Sequence, residues 1–422
     1  MRRTILLLAS LLTATAIHAD VTAIRLARLV KPTGEVIEDA VLLVDGERIV
    51  RSGRGDGAIP QGTKVIDLRP LAGIPGLIDV HTHMTFYWDR SPGTKPWAQL
   101  GTLHPAVTVF LAQENARRTL ETGVTTVRDL GSWEYLDIAM RDLINRGAMT
   151  GPRMFVAGYG LQITSTPSQL RPNPAWLGEA DGVPAVMRVA RQQIAAGADW
   201  IKMYGSTGSD QDVTGFETFS YDEMKAAADV AHRAGKRIAI HSYGPAGAAD
   251  AVRAGADSVE HATDVDDATL QAMVKNGVVY VPTVDHNRYY VDHRDEFGYD
   301  DDAVARLKDY MVRNMATLRR AIRAGVTVAM GSDAVFTGFG ENTRELEWFV
   351  EAGMSPIQAL AAATSTGAAL LGHEKDLGCL DPGCYADIVA VAGDPAKDVH
   401  AITRQVKWVM KGGKVVVDRT VR

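Results

Sequence analysis

The sequence predicts a (β/α)8 barrel that carries a small β-sandwich domain built from both ends of the chain. Three observations predict it. Short apolar runs alternate with longer helix-like segments eight times over about 290 residues. Polar, chemistry-bearing residues stand at the C-terminal ends of several of those runs, where the sites of such barrels lie. Stretches of alternating apolar and polar residues flank this region on both sides. A doubly wound open sheet is the structural alternative; the polar residues at the ends of different strands favour the barrel.

Residues 1–19 read as a secretory leader. Arg2 and Arg3 precede the apolar run Ile5–Leu12, and small residues follow up to Ala19. The apolar core is short for a membrane anchor, which is the other reading. The expectation is cleavage near Ala19 and an exported protein, periplasmic or secreted. No Cys follows the site to take a lipid, and the Arg pair only weakly matches a twin-arginine signal. Without Arg2 and Arg3, 43 basic residues face 51 acidic ones, a net charge of −8. No later segment is apolar for long enough to span a bilayer, and no block of like charge points to nucleic acid. Apolar residues at 46% and charged ones at 23% are ordinary for a globular protein.

Residues 20–73 form the first part of the β domain, with strands expected at Val21–Val30, Val41–Val50 and Lys64–Leu68. Residues 373–422 supply the second part, with strands at Ala386–Ala392 and Val406–Val417. Between them, residues 74–372 carry the barrel. Its strands are Gly76–His83, Thr125–Leu130, Arg153–Gly158, Trp200–Tyr204, Arg237–His241, Ser258–His261, Val278–Pro282 and Thr327–Gly331. Helices are expected at Ala106–Thr122, Pro184–Ala196, Tyr221–Ala234, Ala246–Ala254, Ala268–Asn276 and Ala303–Ala324. Gly123, Gly197, Gly235, Gly255, Gly277 and Gly325 follow them as left-handed C-caps commonly do. Cys379 and Cys384 flank the turn sequence Leu380-Asp381-Pro382-Gly383, so a disulfide and a pair of free thiols both remain open.

The chemistry begins at His81-Thr82-His83. Strand side chains alternate faces, so the two imidazoles point the same way and suit a divalent transition metal. Lys202 lies near the end of the fourth expected strand, His241 ends the fifth, His261 ends the sixth, and Asp333 follows the eighth. One such residue is easily structural; four His, one Lys and one Asp at a single barrel mouth describe a metal site.

That order of residues, with PGLIDVHTH at 75–83, GSDA at 331–334 and the closing element Gly378–Ile388, resembles the amidohydrolase superfamily. The resemblance covers nearly the whole chain after the leader. It points to the binuclear branch, with its imidazolonepropionase-like and prolidase-like dipeptidases and ochratoxin-hydrolysing amidohydrolases. The lysine separates that branch from the mononuclear imidazolonepropionases. The resemblance implies two divalent metal ions, zinc first. One would be bound by His81, His83 and Asp333, the other by His241 and His261, with CO2-derived N-carboxylated Lys202 bridging both. A lysine ammonium has no lone pair to give a metal, whereas a carbamate has two anionic oxygens. It further implies hydrolysis of a small-molecule amide by a metal-bridging hydroxide, with Asp333 as general base and then acid. The expected substrate is a dipeptide, an N-acyl amino acid or an ochratoxin-like amide; a cyclic amide or a lactone is the alternative. A Schiff-base lysine would leave the four histidines without a role. A binding protein that has lost its chemistry would not need the intact ligand set. A homo-oligomer is compatible with all of this.

Residues that would read the substrate are less sharply marked. Tyr243 resembles a family tyrosine that holds a substrate carboxylate or carbonyl; a packing tyrosine is the alternative. After the seventh strand, His286-Asn287-Arg288-Tyr289-Tyr290 is a polar and aromatic loop. Arg288 there is either a carboxylate clamp or a salt-bridge partner, and His286 is a further candidate. His104 and Trp88 would line the pocket or cover it. Arg128-Asp129 reads as a structural ion pair or a device that orients the site. Dipeptidase relatives often carry T-G-G-H after the third strand, but Ile163–Gln169 contains no His, so Gln169 is the substitute donor considered.

Overall fold

The computed structural model describes residues 21–164, 177–208 and 212–420. The expected leader at 1–19 and Gln169 lie outside these residues.

Both chain ends enter one eight-stranded sheet rather than two separately bonded layers. Its order is Lys414–Asp418, Val406–Lys411, Ile388–Val391, Ala72–Pro75, Thr22–Val30, Val36–Asp45 and Arg48–Arg54, with Lys64–Asp67 also paired to Thr22–Val30. The strand Ala72–Pro75 lies between strands from opposite ends of the sequence, antiparallel to Ile388–Val391 and parallel to Thr22–Val30. The division expected at residues 73 and 74 falls inside it. Ile24, Leu26, Leu42, Ile388 and Trp408, all fully or almost fully buried, form a core cluster of their own.

Two expected strands are in fact hairpins. Val41–Val50 is broken at Gly46, whose φ of 55° makes the Asp45–Arg48 turn. Val406–Val417 is broken at Gly412-Gly413, with φ of 53° and 73°. Two consecutive left-handed residues at Gly412-Gly413, and a left-handed Gly46 at the first central position of the Gly46-Glu47 turn, are the forms that match strand twist. A disulfide joins Cys379 to Cys384 across the turn between them, with Cα atoms 6.0 Å apart.

The middle of the chain is mixed α/β, with parallel strands alternating with helices. Leu77–Thr82, Val124–Asp129 and Arg153–Val156 form one parallel sheet; Trp200–Tyr204, Arg237–Ser242, Ser258–His261 and Val279–Val281 form another. Isolated parallel bridges join Leu161 to Met203, Tyr280 to Val328 and Thr82 to Ala334. The expected eighth strand, Thr327–Gly331, is therefore held by bridges rather than a continuous ladder. Its backbone is shared out: Thr327 O accepts from Tyr280 N–H, Met330 O from Val80 N–H, and Met330 N–H is diverted to Ala362 O. Gly331 allows this close approach, since a Cβ there would meet His81 Cβ at 2.7 Å.

The expected helices are present, and Gly197, Gly255, Gly277 and Gly325 occupy left-handed C-caps. One more helix, Val284–Asp292, replaces the loop expected after the seventh strand. His286, Tyr289 and Tyr290 share its inner face at helical spacing. The Glu345 carboxylate accepts the N–H groups of Val284 at 2.9 Å and Asp285 at 2.8 Å, satisfying donors that a helix start leaves free. Among the described residues, no helix is long and apolar enough to cross a membrane.

Candidate active site

The residues singled out in the sequence come together in one pocket. His81, His83, Lys202, His241, His261 and Asp333 all line it, together with His286 and Tyr243. The first parallel strand presents His81 and His83, the fourth Lys202, the fifth His241 and the sixth His261. His261 and Asp333 have φ of 71° and 52°, a region non-glycine residues rarely occupy. Such strain persists where surrounding structure over-determines it, and here it turns both side chains into the pocket.

Asp333 sits at the centre. Its Oδ1 lies 3.2 Å from His83 Nε2 and 3.5 Å from His81 Nε2, and its Oδ2 lies 3.2 Å from His286 Nε2. Burial pushes the Asp333 carboxyl up, but His286, His83 and Lys202 outweigh burial and hold it below its usual value. Donor atoms of His81, His83 and Asp333 lie within 4.8 Å of one another, a spacing that could hold a metal ion. The His241 ring lies 4.4 Å from that of His261 and is stacked at 5.1 Å on Tyr243.

Three of the histidines are oriented by a second contact. His81 Nδ1 lies 2.8 Å from Glu260 Oε2, His83 Nδ1 lies 3.0 Å from Gly131 O, and His261 Nδ1 lies 2.6 Å from Thr283 Oγ1. The Nδ1 atoms of His81, His83 and His261 are thus committed, which leaves their Nε2 atoms free to serve as ligands. Burial drives His81, His241 and His261 well below the ordinary imidazole range, so these rings are neutral, as metal ligands must be.

Lys202 is 1% exposed, and its Nζ has no hydrogen-bond partner among the described residues. Burial lowers its pKa to about 8, with Glu260 and Asp333 opposing. A buried ammonium with unmet donors is costly. An orphaned amine in a pocket with five histidines and a carboxylate fits a site that lysine serves in modified form, so the residues present fit the metal group.

Other sequence-marked residues fall elsewhere. Arg288 lies in the adjoining cleft, its guanidinium held by Asp285, Asp292 and Glu341. His104 is exposed and caps a helix by accepting from Ala106 N–H, while Trp88 donates to Thr94 Oγ1. Neither lines the pocket; Phe86, Trp97, Tyr204 and Tyr290 do. Arg128 is fully buried and pairs with Glu260 rather than with Asp129, whose carboxylate accepts from Met84 N–H and the Thr82 hydroxyl; through Glu260 it reaches His81 and so orients the site. Glu260 was legible only as a charged residue inside a strand, next to a histidine.

The amidohydrolase family profile matches residues 73–416, and the chain belongs to that family. It is a hydrolase acting on amide carbon–nitrogen bonds. Ochratoxinase from Aspergillus niger is 29% identical over 94% of this chain and 87% of its own. Imidazolonepropionase from Streptomyces avermitilis is 26% identical over 87% of this chain and 84% of its own. A crystal structure of a Xaa-Pro dipeptidase with bound methionine in the active site superposes with a TM-score of 0.83 at 29% identity, covering 94% of this chain and 99% of that one. These relatives imply a fold of the TIM-barrel type.

Proposed function

We propose that the protein is an exported binuclear metallohydrolase that cleaves the amide bond of a dipeptide or N-acyl amino acid, ochratoxin-like aromatic amides included. One observation carries the reading: Lys202, buried with an orphaned Nζ, lines the same pocket as five histidines and Asp333. His81, His83 and Asp333 would hold one divalent ion, and His241 and His261 the other, with zinc the first choice. Lys202 would bridge them as its carbamate: the uncharged amine adds to CO2 and releases a proton, giving the anionic oxygens that an ammonium lacks. The parallel bridges at Leu161, Tyr280 and Thr82 are read as closing an eight-membered barrel, with residues 327–334 as its last stave and the end sheet as the small second domain.

Bound there, the ions would polarise the scissile carbonyl and acidify a water. The chain's own groups do the rest. Asp333 accepts the proton of the attacking water and returns it to the leaving amine. His286, 3.2 Å from Oδ2, fixes the carboxylate for that exchange. Phe86, Trp97 and Tyr290 give one side of the pocket an apolar wall, which suits an aromatic or bulky substituent. Gln162, Ser206 and Thr207 supply uncharged polar groups for the amide and its substituents. Tyr243, packed on His241, is the proposed contact for a substrate carboxylate or carbonyl.

The test is a hydrolysis screen of metal-loaded enzyme against dipeptides, N-acyl amino acids, cyclic amides and lactones. Turnover of linear amides carrying aromatic residues is expected. Turnover confined to cyclic amides or lactones would replace this reading with the one suggested by the imidazolonepropionase relationship.

A further inference from the structure

Glu260 has a place that the reaction does not explain. It is fully buried on the sixth parallel strand and is not among the residues that line the site pocket. Its two oxygens are divided. Oε1 accepts from Arg128 Nη2 at 2.9 Å and from the Ser258 hydroxyl at 2.5 Å; Oε2 faces His81 Nδ1 at 2.8 Å. Arg128, also fully buried, is fixed in turn: Nε donates to Val80 O at 2.5 Å, Nη1 to Ser258 Oγ at 2.9 Å, and its guanidinium lies 4.4 Å from the Trp200 ring. The chain of contacts therefore runs from the second strand through the sixth to the first.

We infer that Glu260 is a positioning residue that selects the tautomer of His81, and that Arg128 determines which of its oxygens is free to do so. A carboxylate only accepts hydrogen bonds, and Glu260 at 2.8 Å from Nδ1 is a closer acceptor than Asp333 at 3.5 Å from Nε2, so the neutral ring carries its proton on Nδ1 and keeps the Nε2 lone pair toward the pocket. The other histidines have weaker outer partners: His83 a backbone carbonyl and His261 a hydroxyl. Only a charged partner both dictates the tautomer and raises ligand basicity strongly. The consequence for metal binding rests on the binuclear reading above; the tautomer itself does not.

Glu260→Gln separates this from simple packing. Arg128 and Ser258 require an acceptor at the Oε1 position, so the amide oxygen must face them and the amide NH2 must face His81. A donor at that position forces Nδ1 to accept, moving the proton to Nε2, where it blocks ligation. In the double variant Arg128→Met with Glu260→Gln, the amide can turn its oxygen back to His81 and restore the original tautomer.

The experiment is long-range proton–nitrogen NMR on histidine-labelled, metal-free protein, with His81 assigned from the spectrum of His81→Gln. Wild type is expected to show a protonated Nδ1, Glu260→Gln a protonated Nε2, and the double variant a protonated Nδ1 again. Zinc titration of the same samples should show one binding equivalent weakened about 10- to 100-fold in Glu260→Gln and recovered in the double variant. A wild-type His81 protonated at Nε2, or a folded Glu260→Gln that keeps the Nδ1 proton and full zinc affinity, would overturn the inference. Should Glu260→Gln not fold, the wild-type tautomer and the double variant still decide it. Correct tautomers without any zinc binding would instead count against the binuclear reading.

Discussion

Asp79 and Ser332 are joined twice: Oδ1 accepts the Ser332 backbone N–H at 2.9 Å and Oδ2 accepts its hydroxyl at 2.5 Å. Asn342 Nδ2 adds a third contact at 3.0 Å, and the His81 N–H a fourth at 3.2 Å. Asp79 is two residues before His81, and Ser332 immediately precedes Asp333. This clip sets the distance between the first histidines and the central carboxylate.

Asp79→Asn should therefore damage both stability and turnover. The amide places a donor where the hydroxyl or the backbone N–H now donates, leaving a buried group unmatched at a cost of about 1–3 kcal/mol. Urea denaturation measures the first effect and kcat the second. An unchanged kcat would show that Asp333 keeps its place without the clip.

Asp333→Asn should keep its metal content and lose turnover by about 10²- to 10⁴-fold, the usual range for a general acid–base group. Metal analysis beside steady-state kinetics checks both halves. An almost fully active variant would remove Asp333 from the proton path.

Lys202→Ala should lose activity, and short carboxylic acids added to the solution should restore part of it by supplying the missing anionic bridge. In wild type, 13C-labelled bicarbonate should yield a carbamate carbon signal that is absent from the variant. No such signal in an active enzyme would rule out the modified lysine.

Arg288→Ala tests the cleft beside the pocket. Its guanidinium is engaged by Asp285, Asp292 and Glu341, so removal leaves like charges facing one another. The expected result is a loss of about 1–3 kcal/mol in stability with KM within about twofold of wild type. A large rise in KM for carboxylate-bearing substrates alone would make it a substrate clamp after all.

Glu345 gives a pH prediction. Burial raises its carboxyl to about 8, with Asp285 adding to the effect. The folded protein then holds a proton that the unfolded chain releases at ordinary carboxylate pH. The associated stability is complete at acidic pH, falls from the unfolded value upward, and is lost once pH passes about 8. Denaturation midpoints between pH 5 and 8.5 should decline accordingly. Glu345→Gln should flatten that slope while lowering stability at pH 5, since its NH2 group must face Val284 or Asp285 N–H.

Much of this was legible in the sequence because periodicity and chemistry agreed. Helices such as Tyr221–Arg233 and Asp267–Asn276 carried their caps, and the pocket histidines stood where short apolar runs ended. The hairpins were hidden because their strands share one alternating pattern and only Gly46 and Gly412-Gly413 mark the reversal. The helix Val284–Asp292 was hidden because its start is satisfied by Glu345, sixty residues away in sequence. Glu260 could not be placed for a similar reason: its partners, Arg128 and His81, come from two other strands, and no spacing along the chain announces them. Phe86 reaches the pocket from a loop and Trp97 from the four-residue helix Pro96–Gln99, placements that local pattern does not encode.

The strand Ala72–Pro75 leads directly into the strand bearing His81, and it is gripped on one side by Thr22–Val30 and on the other by Ile388–Val391. The molecule is thus fastened like a clasp, with the candidate site just behind the buckle. A nascent chain cannot grip this strand from both sides until Ile388–Val391 has been made. Removing Ile388–Val391 would likewise bare one edge of Ala72–Pro75, so damage far along the chain is felt at the root of the histidine strand.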